Sequence, residues 1–153
     1  MVRRPSVHTM ITSRKVPKPI GPYSQAILVA QPGSMLFVSG QIPLEVPLGT
    51  VFTGAIKRQA ELALTHVKNI VLDAGFSLDE VVQCTVYLTD LKNFDAVGEA
   101  YQKMFVGMTL PARVVVEVAG LPKGVGIEVA ATAVKKAAEA PPAAPSGEEE
   151  MMY

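Results

Sequence analysis

Apolar positions along the chain change period several times, and the changes mark its elements. Residues 24–30 (SQAILVA) read as a strand, and Pro32-Gly33 turns the chain into a second strand at 35–40 (MLFVSG). Residues 45–53, with Pro47 and Gly49, read as a loop. Ile56, Ala60, Ala63, Leu64, Val67, Ile70, Val71 and Ala74 then recur at helical spacing, and Gly75 closes that helix. The β-branched and aromatic run Val81–Leu88 predicts a strand. Phe94, Val97, Tyr101, Met104 and Phe105 form the stripe of a second helix, with Asp90 as its N-cap. Strands at 113–119 and 127–134 follow, separated by Leu121-Pro122-Lys123-Gly124.

The order strand, strand, helix, strand, helix, strand, strand predicts an α+β domain. Two helices cover one face of a five- or six-stranded sheet and leave the other bare. The strands at 81–88 and 114–118 carry apolar residues at both parities, so both faces call for burial. A homo-oligomer with packed sheets answers that need. The alternative is a second face of Ala and Thr that tolerates water.

Composition narrows the classes. The chain has 153 residues, 49% hydrophobic and 18% charged, with 14 basic residues against 14 acidic. One domain follows, while wholesale disorder and non-specific polyanion binding are disfavoured. Cys84 is the single cysteine and cannot form an intramolecular disulfide, which fits a reducing compartment. His8 and His66 give no zinc-ligand spacing, and no metal or other cofactor is expected. No apolar run reaches the ~20 residues that span a bilayer. The expected organisation is a basic extension at 1–15, a domain at 16–136 and a disordered acidic Pro/Ala-rich tail at 137–153. The start carries Arg3, Arg4, Arg14, Lys15 and Lys18 without an acidic residue, as an organellar address does, but Pro5, Pro17 and Pro19 break an amphipathic helix. The expected location is the cytoplasm, with the mitochondrion as alternative.

Few residues offer chemistry. Arg113 heads an apolar strand, and its planar fork suits a carboxylate. Glu128 stands alone between Ile127 and Val129. If the two strands are neighbours, Arg113 holds an anionic substrate and Glu128 acts as general base toward water. The competing reading is an ordinary cross-strand ion pair, or two charges on a wet face. Gly21-Pro22-Tyr23-Ser24-Gln25 offers a phenol on a fixed backbone, and Ser39-Gly40 allows a ligand close approach; either is equally a plain loop or turn. His66 and Cys84 read as structural. Neither GxGxxG nor GxxxxGK[ST] occurs.

Three segments together carry a resemblance: residues 20–26 (IGPYSQA), 38–43 (VSGQIP), and 111–113 (PAR) through Leu121-Pro122 to Ile127-Glu128. From about Val16 to Lys135 the chain resembles the RidA/YjgF family of reactive enamine/imine deaminases. The resemblance implies a chorismate-mutase-like fold and a homotrimer with three active sites between subunits. It also implies cofactor-free hydrolysis of 2-aminoacrylate, 2-iminopropanoate or 2-iminobutanoate to 2-keto acids and ammonia. Under it Arg113 clamps the substrate carboxylate, and Glu128 positions or deprotonates the attacking water. Tyr23, Ser39 and Gly40 line the pocket, and backbone groups near Val115 contact the imino nitrogen. Gly98 stands where such members commonly have Asn, and Val115 where they commonly have Cys. An RNA-cleaving translation inhibitor, disfavoured by the neutral charge, and a non-enzymatic ligand-binding or chaperone-like trimer are the alternatives. Membrane and nucleic-acid partners are not expected.

Overall fold

The computed structural model describes residues 8–30 and 32–138. The acidic tail from residue 139 and the first seven residues lie outside that set, and the expectation of a disordered tail lies there with them.

The domain is α+β. Its strands are β1 (His8–Ile11), β2 (Ala26–Val29), β3 (Pro32–Gln41), β4 (Leu44–Glu45), β5 (Thr50–Val51), β6 (Val81–Leu88), β7 (Ala112–Glu117) and β8 (Ile127–Lys136). Its helices are α1 (Ile56–Asp73) and α2 (Phe94–Met104), with single 3₁₀ turns at Leu78–Glu80, Leu91–Asn93 and Pro122–Gly124. The main sheet runs β3-β8-β6-β7, antiparallel except for the parallel pair β6/β7 that α2 connects.

This corrects the expected five or six strands to four. The segment at 24–30 leaves the main sheet because β2 pairs with β1, whose four residues sit in the basic start and carry too short an apolar signal to be read. The loop at 45–53 contains the small β4/β5 hairpin, whose connection includes a cis Val46-Pro47 bond.

Both helices lie on one face of the sheet. Cys84, Val86 and Leu88 on β6, with Ile127, Val129, Ala131 and Ala133 on β8, meet Ala60, Ala63, Leu64, Val67 and Val71 of α1 and Val97, Ala100 and Tyr101 of α2 in one core. The expected α1 stripe holds except that Ile70 is exposed and Ala74 is exposed just past the helix end, while Leu62 is buried. A Schellman motif ends α1: the Phe76 N–H donates to Val71 O (3.0 Å) and the Gly75 N–H to Leu72 O (2.9 Å). Gly75 takes φ +78°, where a side chain would be strained.

The other sheet face is open. Phe37 is 73% exposed, Val114 45% and Val116 37%, beside Thr85, Tyr87, Ala130 and Thr132. No helix among the described residues is long and apolar enough to cross a membrane.

Candidate functional site

Arg113 is the second residue of β7 and lies opposite Cys84 of β6, so its side chain belongs to the helix-covered face. Three rings surround its guanidinium, with centroids at 5.0 Å (Tyr101), 5.4 Å (Phe94) and 5.7 Å (Tyr23) from Cζ. Each offers a negative π-face to the cation. Arg113 takes no part in the two ion pairs found among the described residues, Lys57–Glu99 and Arg58–Glu61. Burial pulls its pKa below the ordinary arginine value, while Tyr101, Tyr23 and Cys84 act in the opposite direction. A half-buried guanidinium held by rings alone keeps its donors for an anion, and its fork matches a carboxylate.

The loop before β2 builds one wall. The Ser24 N–H donates to Pro111 O (3.1 Å), and its buried hydroxyl donates to Leu110 O, which staples the loop to the chain leading into β7. The Gln25 side chain accepts from the Ser13 N–H (2.6 Å) and donates to Pro17 O (3.0 Å). These ties set Tyr23 against Arg113, and the Tyr23 hydroxyl accepts the Ile20 N–H at 3.3 Å. Gly21 sits close against the guanidinium, since a Cβ there would lie 3.1 Å from Arg113 Nη2.

Phe94 and Tyr101 come from α2. Its start is fixed by Glu117, which accepts the Leu91 N–H (2.8 Å), and by Asp90, which accepts the Lys92 N–H (2.9 Å). Asp90 thus caps the 3₁₀ turn before the helix rather than the helix itself. Gly98 lies on the same helix face, between Phe94 and Tyr101, buried but with no atom within 4 Å of where a Cβ would stand. Tyr101 is fully buried and its hydroxyl has no hydrogen bond of ordinary geometry. Burial drives its ionisation far above the tyrosine range, with Cys84 adding to the rise and Arg113 opposing it. The Cys84 thiol, likewise enclosed, is pushed up to about 12 by burial.

Glu128 occupies a different place. It lies opposite Tyr87, three residues from Cys84 on β6, and odd spacing along a strand means opposite faces. β6 also separates β7 from β8. Within one chain, therefore, Arg113 and Glu128 neither line one pocket nor form a cross-strand ion pair. The Glu128 carboxylate instead occupies the space left by Gly40, where a Cβ would come within 1.9 Å of Oε1 and 2.9 Å of Cγ. The β3/β8 register is irregular there, between Val38 and Gln41, and the Gln41 amide donates to Ser39 O (3.0 Å). Ser39 itself is exposed.

The residues singled out from sequence thus fall into two clusters. Tyr23, Gly98, Arg113 and Val115 lie on the helix side, and Ser39, Gly40 and Glu128 at the β3/β8 irregularity. His66 is structural, with its Nε2 2.7 Å from Leu44 O. Sequence reasoning missed Phe94 and Tyr101. Phe94 and Tyr101 were visible on the α2 stripe, but a stripe alone reads as core. Among the described residues no three His, Cys, Asp or Glu side chains gather as metal ligands.

Comparison with known proteins places the chain in a family. A family model described as endoribonuclease L-PSP matches residues 13–135. A RutC family protein of Pyrococcus abyssi is 48% identical over 127 residues, covering 83% of this chain and 97% of that protein. The 2-iminobutanoate/2-iminopropanoate deaminase of Capra hircus is 38% identical over 129 residues, covering 84% and 91%. The crystal structure of E. coli TdcF with bound serine superposes with a TM-score of 0.65 at 39% identity, covering 84% of this chain and 99% of that one. The chain belongs to the endoribonuclease L-PSP (YjgF/RidA) family.

Proposed function

We propose that the protein hydrolyses reactive enamine and imine acids such as 2-aminoacrylate, 2-iminopropanoate and 2-iminobutanoate to 2-keto acids and ammonia. The observation that carries this reading is the ring-held Arg113 guanidinium with no carboxylate partner in its own chain among the described residues. Two relatives support it: the goat protein is named for this activity, and TdcF was solved with serine, itself an α-amino carboxylate.

The chemistry needs little beyond placement. Arg113 takes the substrate carboxylate, which leaves the adjacent protonated imine carbon open to attack. Glu128 removes a proton from water as the oxygen bonds to that carbon, giving a carbinolamine. The same carboxyl group returns the proton to nitrogen; the C–N bond then breaks with its electron pair leaving on ammonia, the carbinol O–H proton passes back to the Glu128 carboxylate as the C=O bond forms, and the keto acid remains. Orientation supplies much of the rate and the general base the rest. An enamine enters the same sequence after protonation at its terminal carbon.

Because Arg113 and Glu128 lie on opposite sheet faces, the working site is assembled from two copies, with Arg113, Tyr23 and Phe94 from one and Glu128 and Gly40 from its neighbour. A homotrimer with three such clefts satisfies this, and the open face bearing Phe37, Val114 and Val116 is the surface to bury. The test is keto-acid release from an enamine made in situ by a serine or threonine dehydratase. Arg113→Ala and Glu128→Ala are each expected to abolish the acceleration while the oligomer persists, and unchanged rates in both would overturn the assignment.

The family description favours one other reading, RNA cleavage. It predicts hydrolysis of RNA by nuclease-free protein that survives Arg113→Ala. The balanced charge argues against it.

A further inference from the structure

Gln59 lies in the first turn of α1 and is only 5% exposed, although it is polar. Its amide is held at both ends. Nε2 donates to Gly54 O (2.8 Å), and Oε1 accepts the Gly126 N–H (2.8 Å), joining segments 67 residues apart. The Gly126 carbonyl in turn accepts the Thr89 N–H (3.2 Å), just beyond the end of β6. Gly126 packs closely there: a Cβ would stand 2.9 Å from Ile56 Cδ1 and 3.4 Å from Gln59 Oε1.

Two residues downstream is Glu128. It pairs with Tyr87 on the β6 side, but the β3 ladder reaches β8 only from Val129 onward, opposite Gln41, and is irregular beyond. The first residues of β8 thus lack a complete ladder on the β3 side, and the side-chain anchor nearest upstream of Glu128 is Gln59. A buried amide satisfied at both ends is also costly to disturb, since loss of either partner leaves a polar group stranded.

We infer that Gln59 is the positioning residue for Glu128: through Gly126 it sets the start of β8 and hence the direction of the Glu128 carboxylate. The inference rests on the proposed role of Glu128 as base. Gln59 does not touch substrate, and its influence is confined to the Glu128 half of the site because Arg113 is held by Tyr23, Phe94 and Tyr101.

The test compares Gln59→Met, which has similar length but neither hydrogen bond, with Gln59→Glu, which keeps an acceptor for the Gly126 N–H. In the enamine assay Gln59→Met is expected to lose about tenfold in kcat with KM within about twofold, since small misplacement of a reacting group costs rate rather than carboxylate binding. Gln59→Glu is expected to recover part of that loss, since it keeps the Gly126 bond but sets an acceptor oxygen against Gly54 O. A second readout does not need turnover: the carboxyl carbon of Glu128, followed by NMR against pH, shifts its midpoint in Gln59→Met. If the wild-type protein shows no turnover, the deaminase reading fails and this titration alone decides the inference. A folded Gln59→Met with lowered thermal stability but unchanged kcat and unchanged Glu128 titration overturns it, as does a loss confined to KM. Should Gln59→Met not fold, Gln59→Asn, one methylene short, takes its place: a drop in kcat with a shifted Glu128 midpoint supports the inference, and neither change overturns it.

Discussion

Placing Arg113 and Glu128 on opposite faces of one sheet makes a quantitative prediction about mixed oligomers. Arg113→Met removes the charge-assisted contact to the substrate carboxylate, about 1.5–3 kcal/mol or more, so its rate falls by at least about tenfold. Glu128→Gln removes the base, a loss of about 10²–10⁴. Unfolding the two variants together in equal amounts and refolding them yields randomly mixed rings. A site that takes its arginine from one subunit and its glutamate from the next has each with a chance of about one half, so about a quarter of sites are intact. The mixture should therefore show about a quarter of wild-type activity, at least about two- to threefold above either parent. Native mass spectrometry verifies that the subunits have mixed. Mixed oligomers whose activity stays at the mean of the parents would refute the two-copy site, because a site within one chain leaves every subunit of the mixture defective.

Other consequences are open to simpler measurements. Gly40→Ala places a methyl group where the Glu128 carboxylate lies, and is expected to cost activity heavily while leaving carboxylate-ligand binding at Arg113 measurable by calorimetry. Gly98→Ala adds a methyl into open space inside α2, so it should gain about 1 kcal/mol and about 3 °C in Tm by calorimetry. Phe37→Lys puts a charge on the most exposed apolar side chain of the open sheet face, and should shift sedimentation toward the single chain. Cys84 keeps its proton in the native state up to about 12, whereas the unfolded thiol loses it near 9.0, so this contribution is fully present below pH 9 and is lost as pH rises toward 12. Its full size is of order 4 kcal/mol, and urea titrations should show wild-type stability falling more steeply than that of Cys84→Ala between pH 9 and 10.5 or so.

Local pattern carries far in this chain, and non-local pairing sets its limit. The α1 helix and β6 are readable because their apolar periods are long and end in clear stops, Gly75 for the helix and the turn after Leu88 for the strand. β1 is not, since four residues among basic and proline neighbours give no period to count. The open face is legible in the apolar residues at both parities of β6 and β7. Arg113 and Glu128 stand out as lone charges in apolar strands, but their relation depends on β6 lying between β7 and β8, which no local window contains. The ring enclosure of Arg113 is hidden for the same reason, as its three members come from the loop before β2 and from α2. Gln59 does leave a signal, a polar residue beside the apolar stripe at the first turn of α1, but only the distant Gly126 gives it meaning.

The separation of the two charges is not an accident of side-chain placement. β6 fixes it, because Cys84, Val86 and Leu88 are all fully buried against the helices, and a slip of one residue in either pairing would turn an entire apolar set outward. With that register, Arg113 opposite Cys84 must face the helices and Glu128 opposite Tyr87 must face away. The apolar pattern that builds the core therefore also sets Arg113 and Glu128 on opposite faces of the sheet in one chain. Under the proposed function, the one route that brings them together is contact between copies, with the open sheet face as the means. Catalytic competence and burial of Phe37, Val114 and Val116 are then a single event, and variants that weaken assembly should lose activity in proportion to the oligomer lost.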